Sequence, residues 1–544
     1  MRSLKLRYSL IIFLLAPLSR LCGQSIGGVI NTYYQVIEVL PAKSCVRVSN
    51  PSGLAQYDNT MLVQMKGAAV STTNNASYGS VTALNNAGNY EMGVICGIIG
   101  DSVFFEQTLL NAYDVSGKVQ LVRVPMYASA TVVSPLVAGP WNNTSGTGGV
   151  LALIAINTLT LNAAVSADTM GFKGGAVKIL SGTCGSLFVF SNYAYNPAVS
   201  TGGGYKGEGI ADVTAANSGG RGPMANGGGG GGDHNNGAAG GGNLAAGGTG
   251  GDNNSTTGCN NKFPGLGGLA LSNTGNKIYA GGGGGHGHSN NTVTPWGGGN
   301  GGGIVYIQAD VLTGNNFTIS AAGGDGSATI GDGGSGGGAG GTIMMEVGSY
   351  SGNVNIAVNG GKGGDVDNLA SPNRSMGPGG GGSGGVIYFT GTLPAVTTSA
   401  NSGAAGVSYN TSPAGMGGNN GAAAGTNGTV AAGYTVSRSG MPAAYCTALL
   451  LTLPNEINNY APRARNRSGG SYMSIYPNPA GTFIGLHTSL RGWQVLQLYS
   501  ADGKLVWSNN CLLQGNTAPV MLPSLQRGIY ILSAGGLRSR LFIR

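Results

Sequence analysis

At 544 residues, with 105 glycines, 41% hydrophobic and only 8% charged residues, the chain is long enough for several domains and too apolar for a disordered polymer. Glycine follows no strict G-X-Y period, which excludes collagen. The formal charge is +8, yet residues 25–470 carry 17 basic and 18 acidic residues, so the excess sits at the two ends and the body lacks the footprint of a nucleic-acid binder.

Residues 1–24 read as a secretory signal peptide. Arg2, Lys5 and Arg7 precede the apolar run Leu10–Ala16, which is too short to span a bilayer. Cleavage is expected near Gly23-Gln24-Ser25; a lipid anchor at Cys22 would want small residues where Arg20 and Leu21 stand. No later apolar run is long enough for a transmembrane helix. Six cysteines follow the leader, and an even number in an exported chain permits disulfides. Cys45 and Cys96 share one predicted domain and are the first pair to consider, against the alternative of buried free thiols. Without any CxxC spacing, a cysteine zinc site is not expected.

Residues 25–147 form an N-terminal β module. Runs such as Tyr33–Val39, Met61–Met65 and Val119–Val124 are rich in β-branched and aromatic residues, and turn residues separate them. From residue 148 to 445 the pattern changes to a glycine-rich repeat body. Glycine precedes an apolar run at Ile304–Ile307, Ile343–Met345 and Val386–Phe389, and each run leads back to glycine. Ile304 to Ile343 is 39 residues and Ile343 to Ile387 is 44, a spacing that suits stacked β coils with loops of unequal length. A coil that cannot bury its apolar face alone must stack on the next. The insertion at 191–300 holds the longest glycine runs, Gly227–Gly232 and Gly281–Gly285. It reads either as a flexible linker or as extended polyproline-II-like backbones packed side by side, which the lack of Cβ atoms allows. Cα–H···O contacts could supplement the N–H···O bonds there.

Residues 446–470 read as a linker containing Arg463, Arg465 and Arg467, and residues 471–544 as a compact β unit. That unit carries Tyr476-Pro477-Asn478-Pro479, then Leu498–Val506 with the Asp502-Gly503-Lys504 turn, then Leu525–Tyr530 with Gly528 and Tyr530, and a basic end at Arg540–Arg544. In order and spacing these elements resemble the type A sorting domain of the Bacteroidetes type IX secretion system. The resemblance implies an Ig-like β-sandwich, passage across the outer membrane, the type IX machinery as partner, and release or attachment at the cell surface. The glycine-rich body looks like the adhesin-like surface proteins of the same bacteria. Asp101-Ser102-Val103 and Asp168-Thr169-Met170 resemble the Asp-Ser/Thr-apolar O-glycosylation motif of that group.

Several patterns invite chemistry. Gly333–Gly337 and Gly381–Gly385 fit G-x-S-x-G, but neither sits at a strand-to-helix elbow. No glycine-lysine pair is followed by serine or threonine, so there is no P-loop. Gly247–Asp252 and Gly360–Asp365 match the start of the calcium β-roll nonapeptide, making Asp252 and Asp365 calcium candidates. Asn254 and Asp367 stand where that repeat wants a large apolar residue. His234, His286 and His288 lie in glycine loops and could meet as a zinc or copper site, against the alternative of a polar loop network. Asp310, Asp325, Asp332 and Glu346 could serve a carbohydrate-active enzyme, though nothing in the sequence pairs them.

The expectation is an all-β exported protein: an N-terminal β module, a stacked, β-helix-like glycine-rich body and a C-terminal Ig-like sandwich. The expected function is that of a non-enzymatic adhesin or structural surface protein that meets a glycan or cell-surface ligand, without nucleic acid and without a resident cofactor beyond calcium. The alternatives are a carbohydrate-active β-helix enzyme and a passive glycine-rich stalk.

Overall fold

Alternation of apolar residues with glycine punctuation yields strands and almost nothing else. The computed structural model describes residues 24–177, 179, 191–196, 203–254, 262–290, 296–367, 374–409, 417–441, 443, 473–476, 483–500, 503–514, 517–523, 525–526 and 528–543. The leader to Gly23 and the linker at 446–470 lie outside the described residues. The chain divides into two units, residues 1–452 and 453–544.

After a strand Gln24–Gly28 that pairs in parallel with Ala130–Val137 of the large sheet, the first unit forms a closed barrel of six strands, Tyr33–Leu40, Cys45–Val48, Ser102–Phe105, Tyr90–Ile99, Asn59–Gln64 and Val119–Val124 in spatial order. Tyr34, Val36, Val46, Leu62, Ile95 and Leu121 fill its interior. On the same strands, Met61, Val63, Tyr90, Val122 and Val124 point the other way and join a second core. That core is shared with the outer face of a parallel sheet, so these barrel strands are buried on both sides.

The parallel sheet is built from coils. Its main ladder stacks Val150–Leu161, Ile304–Thr313, Thr342–Ser351, Val386–Phe389 and Thr429–Ala431. A second ladder stacks Val165–Ser166, Thr318–Ser320, Asn355–Ala357 and Thr397–Ser399. Leu151, Leu153, Val305, Ile307, Ile343, Met345, Ile387 and Phe389 face the second ladder and form the coil interior. Val150, Ala152, Ile304, Tyr306, Met344, Val386 and Tyr388 face the barrel and the glycine-rich insertion. Burial on both faces is the rule for parallel sheets, and it accounts for the near-continuous apolar runs.

The register corrects one sequence alignment. Ile304 pairs with Thr342, and Val305 with Ile343; Ile343 then pairs with Ile387 as its spacing suggested. A one-residue slip would turn each side chain to the opposite face. Thr342 can hold a buried place beside Ile304, on the face toward the insertion, because its hydroxyl donates to the Tyr279 carbonyl at 2.6 Å.

Between the ladders the chain runs out and back in glycine-rich legs that are not β-strands. In the leg 333–341, hydrogen-bond partners rotate every three residues. Gly333, Gly336 and Ala339 donate to His288, Gly285 and Gly282. Gly334, Gly337 and Gly340 donate to Gly377, Gly380 and Ser383. Ser335, Gly338 and Gly341 donate to Ser327, Gly324 and Ala321. A helix of three residues per turn points successive N–H groups roughly 120° apart, which is polyproline-II geometry. Three further legs donate into this one, through Ala238 and Gly241, Gly299 and Gly302, and Gly361 and Gly364. Leg 333–341 thus lies at the centre of a hexagonal lattice of backbones. The legs 237–242 and 281–288 belong to the insertion and show the same rotation of partners. The described part of the insertion is therefore ordered lattice, and the linker reading of it does not hold.

The body closes by returning to the barrel. Tyr434 stacks on Tyr388 with ring centroids 4.1 Å apart, and its hydroxyl lies 2.8 Å from that of Tyr90. Met92 N–H donates to Ser437, and Thr108 N–H donates to Met441. Cys45 and Cys96 occupy one apolar cluster with Phe104 and Ala443, but they do not bond to each other: Cys96 is disulfide-bonded and Cys45 is a free buried thiol. Burial pushes the Cys45 thiol up to about 11.

Among the described residues no helix is long and apolar enough to cross a membrane.

Candidate functional site

The leg directions place the lattice turns together. Leg 333–341 runs antiparallel to 281–288 and parallel to 377–385, so His288, Gly333 and Gly377 meet at one end. The opposite end of leg 333–341 runs straight into the strand Thr342–Ser351. One end of the lattice is therefore rooted in the sheet and the other carries the turns.

The histidines gather at the turn end. The rings of His234 and His288 are 5.4 Å apart. His288 Nδ1 accepts from the Asn235 N–H at 3.0 Å, and His234 Nε2 lies 3.0 Å from Asn290 Nδ2. Burial holds His286 down at about 4; burial, with the neighbouring His234 and His286, holds His288 down at about 3. Asp332 lies in the same region and accepts from the Ser289 hydroxyl at 2.9 Å and from the Asn290 N–H at 3.3 Å. Among the described residues, no three His, Cys, Asp or Glu side chains stand where they could hold one metal ion together. The geometry is that of a polar network that ties turns to one another.

The two calcium candidates have other surroundings. The Asp365 carboxylate accepts from Lys362 Nζ at 2.7 Å, the Val407 N–H at 2.8 Å and the Tyr409 hydroxyl at 3.0 Å. The Asp252 N–H donates to Asn420, and burial raises the Asp252 carboxyl. Of the candidate enzymatic carboxylates, Glu346 is engaged by Tyr306 and Arg438 at 2.7 and 2.6 Å. Asp310 is exposed. Ser335 and Ser383, the serines of the two G-x-S-x-G matches, are fully buried in straight legs with no elbow.

Asp325 stands apart. It is exposed on the lattice edge, where its Oδ1 accepts the Lys362 N–H at 2.7 Å. Its carbonyl accepts the indole N–H of Trp296 at 3.3 Å. Trp296 is itself 54% exposed. Between them lies an open trough of about 440 Å³, lined also by Thr169, Ala176, Asn300 and a floor of glycine backbone. Trp296 was not singled out in the sequence. Its partner is 29 residues away, and only the lattice brings the two together.

The second unit is a pair of antiparallel sheets. One holds Met473–Tyr476, Phe483–Thr488 and Thr517–Met521; the other holds Leu505–Gln514, Arg491–Ser500, Gly528–Ala534 and Leu537–Ile543. Leu486, Leu496, Leu498, Val520, Leu532 and Leu541 form its core. Residues 474–539 match the family described as the secretion system C-terminal sorting domain. The chain ends in a type IX sorting tail. This tail indicates export by the type IX route to the cell surface or the medium, and implies contact with that machinery. Within the sorting domain, Tyr476 closes the first strand, while Pro477, Asn478, Pro479 and Asp502 lie outside the described residues. Gly503 takes φ +85° in the turn where its N–H donates to Ser500, a conformation that favours glycine. Lys504 is exposed, and its carbonyl accepts the Ser500 N–H at 2.9 Å. Gly528 pairs with Ile543 at the start of its strand, and buried Tyr530 anchors its hydroxyl on the Gln526 carbonyl at 2.9 Å.

No curated protein matches this chain. Among solved structures, the Gp54 tailspike of Acinetobacter baumannii bacteriophage AP22, in complex with A. baumannii capsular saccharide, aligns at 9% identity over 68% of this chain and 56% of that chain. Its TM-score of 0.14 is too low to carry any argument about fold or ligand.

Proposed function

We propose that this type IX cargo works at the cell surface as a non-enzymatic adhesin or structural surface protein, with the glycine lattice as a stiff platform. The observation that supports this reading is the one-ended arrangement of the lattice. Its legs are rooted in a two-faced core at one end and gather their turns at the other. A flexible stalk needs neither the root nor the register. Rigid elements that position loops are the usual scaffold for recognition.

The secreted full-length protein, labelled and applied to eukaryotic cells, bacterial cells and a glycan array, should bind at least one of these surfaces saturably. Absence of binding to every surface would leave the passive stalk as the account. Release of reducing sugars from a bound polysaccharide would overturn the non-enzymatic reading in favour of the carbohydrate-active one.

A further inference from the structure

The trough between Trp296 and Asp325 has the chemistry of a ligand site that no part of the core or the lattice requires. Its volume of about 440 Å³ falls within the range of roughly 300–1,000 Å³ that small-molecule sites occupy. The Trp296 indole is exposed yet held by its N–H on the Asp325 carbonyl, so its ring is oriented before anything binds. Asp325 Oδ1 is fixed by the Lys362 N–H. Its side chain is exposed, so the carboxylate can still accept from a ligand. Thr169 adds a hydroxyl and Asn300 an amide to the lining.

These groups select a class of ligand. We propose that the trough binds a neutral saccharide. The less polar C–H face of a sugar ring suits an indole face, and its hydroxyls suit a carboxylate, an amide and a threonine. Among the described residues no lysine or arginine lines the trough, so a sulfated, phosphorylated or uronate-rich glycan would meet the Asp325 carboxylate without a cation from that lining. The floor is Gly174, Gly175, Gly297–Gly299 and Gly324. Without side chains it offers no pockets for a peptide to fill. A shallow floor with one aromatic wall fits rings laid flat. The proposal deepens the adhesin reading and rests on it for its biological setting.

The test uses the full-length secreted protein on a panel of neutral and anionic oligosaccharides, with the best neutral binder re-measured on three variants. Trp296→Ala should weaken binding by at least about tenfold, and Asp325→Asn by about threefold to tenfold. Leu393→Ala removes another highly exposed apolar side chain, outside the trough, and should leave affinity unchanged. Thermal melts of each variant should match wild type, since both trough side chains are exposed. Neutral-glycan binding that survives both Trp296→Ala and Asp325→Asn would overturn the site while leaving the adhesin reading standing. Binding confined to anionic glycans would overturn the ligand class. If no saccharide binds while cells still do, the inference fails and the surface reading does not.

Discussion

At Gly338, a methyl group would sit 2.0 Å from the Asn300 carbonyl oxygen; at Gly336 it would sit 1.9 Å from that of Ala239. Both obstacles are backbone atoms of neighbouring legs, which cannot rotate away. Gly338→Ala should therefore destabilise the first unit by about 3 kcal/mol or more, at or beyond the top of the usual overpacking range. Gly391 offers the contrast, because a methyl there meets nothing within 4 Å and its φ is not positive. Gly391→Ala should be neutral or stabilising by up to about 1 kcal/mol. Paired chemical-denaturation curves would decide. Equal effects at the two positions would mean that the glycines serve flexibility and not close approach. Composition announced the glycines, but only the leg directions reveal which of them tolerate a side chain.

The lattice turns should lose stability in acid through their buried histidines. The fold holds His286 near 4 and His288 near 3, below the ordinary 6.5, because burial disfavours the charged rings. The unfolded chain then binds more protons than the folded one below pH 6.5. Their stabilising contribution is complete above that pH and falls as pH drops toward 4 and 3, by about 1.4 kcal/mol per pH unit for each ring. Buried Glu91 and half-buried Glu106 are shifted up by burial and act in the opposite sense, so the useful readout is a difference. Between pH 7 and 5, wild type should lose more stability than His288→Gln. Parallel curves for the two proteins would remove the histidines from the account. How these elements meet was only partly legible in the sequence. The apolar runs after paired glycines marked the ladder strands, yet a run of isoleucines cannot show that Ile304 sits beside Thr342. The Thr342 hydroxyl there is satisfied by the Tyr279 carbonyl, 63 residues away in the sequence. The barrel strands were visible as β-branched runs, whereas burial of both their faces depends on a sheet more than 80 residues downstream of Met61. Trp296 and Asp325 carry no local motif at all.

At the scale of the whole molecule, export and architecture occupy different units. The sorting domain has its own core and its own pair of sheets, while the barrel, the coil sheet and the glycine-rich insertion share one continuous core. Removal of Ser471–Arg544 should therefore leave the first unit folded but strand it in the periplasm, as fractionation with antibody against the body would report. Normal display of the truncated chain would refute the assignment of export to the tail. The tail was the most legible part of the chain, because its motif is local and ordered. The lattice was the least legible, because its meaning lies in which distant leg each N–H reaches.

That three-way bonding has a consequence for life outside the cell. Proteases grip an extended substrate through its side chains and its spare backbone groups, and they cut most readily at exposed loop tips. Leg 333–341 is extended, yet it has almost no side chains to recognise, and every one of its N–H groups is already committed to a neighbour. Its peptide bonds, extended though they are, are thereby withdrawn from digestion, and any cutting of the body would begin in the turns.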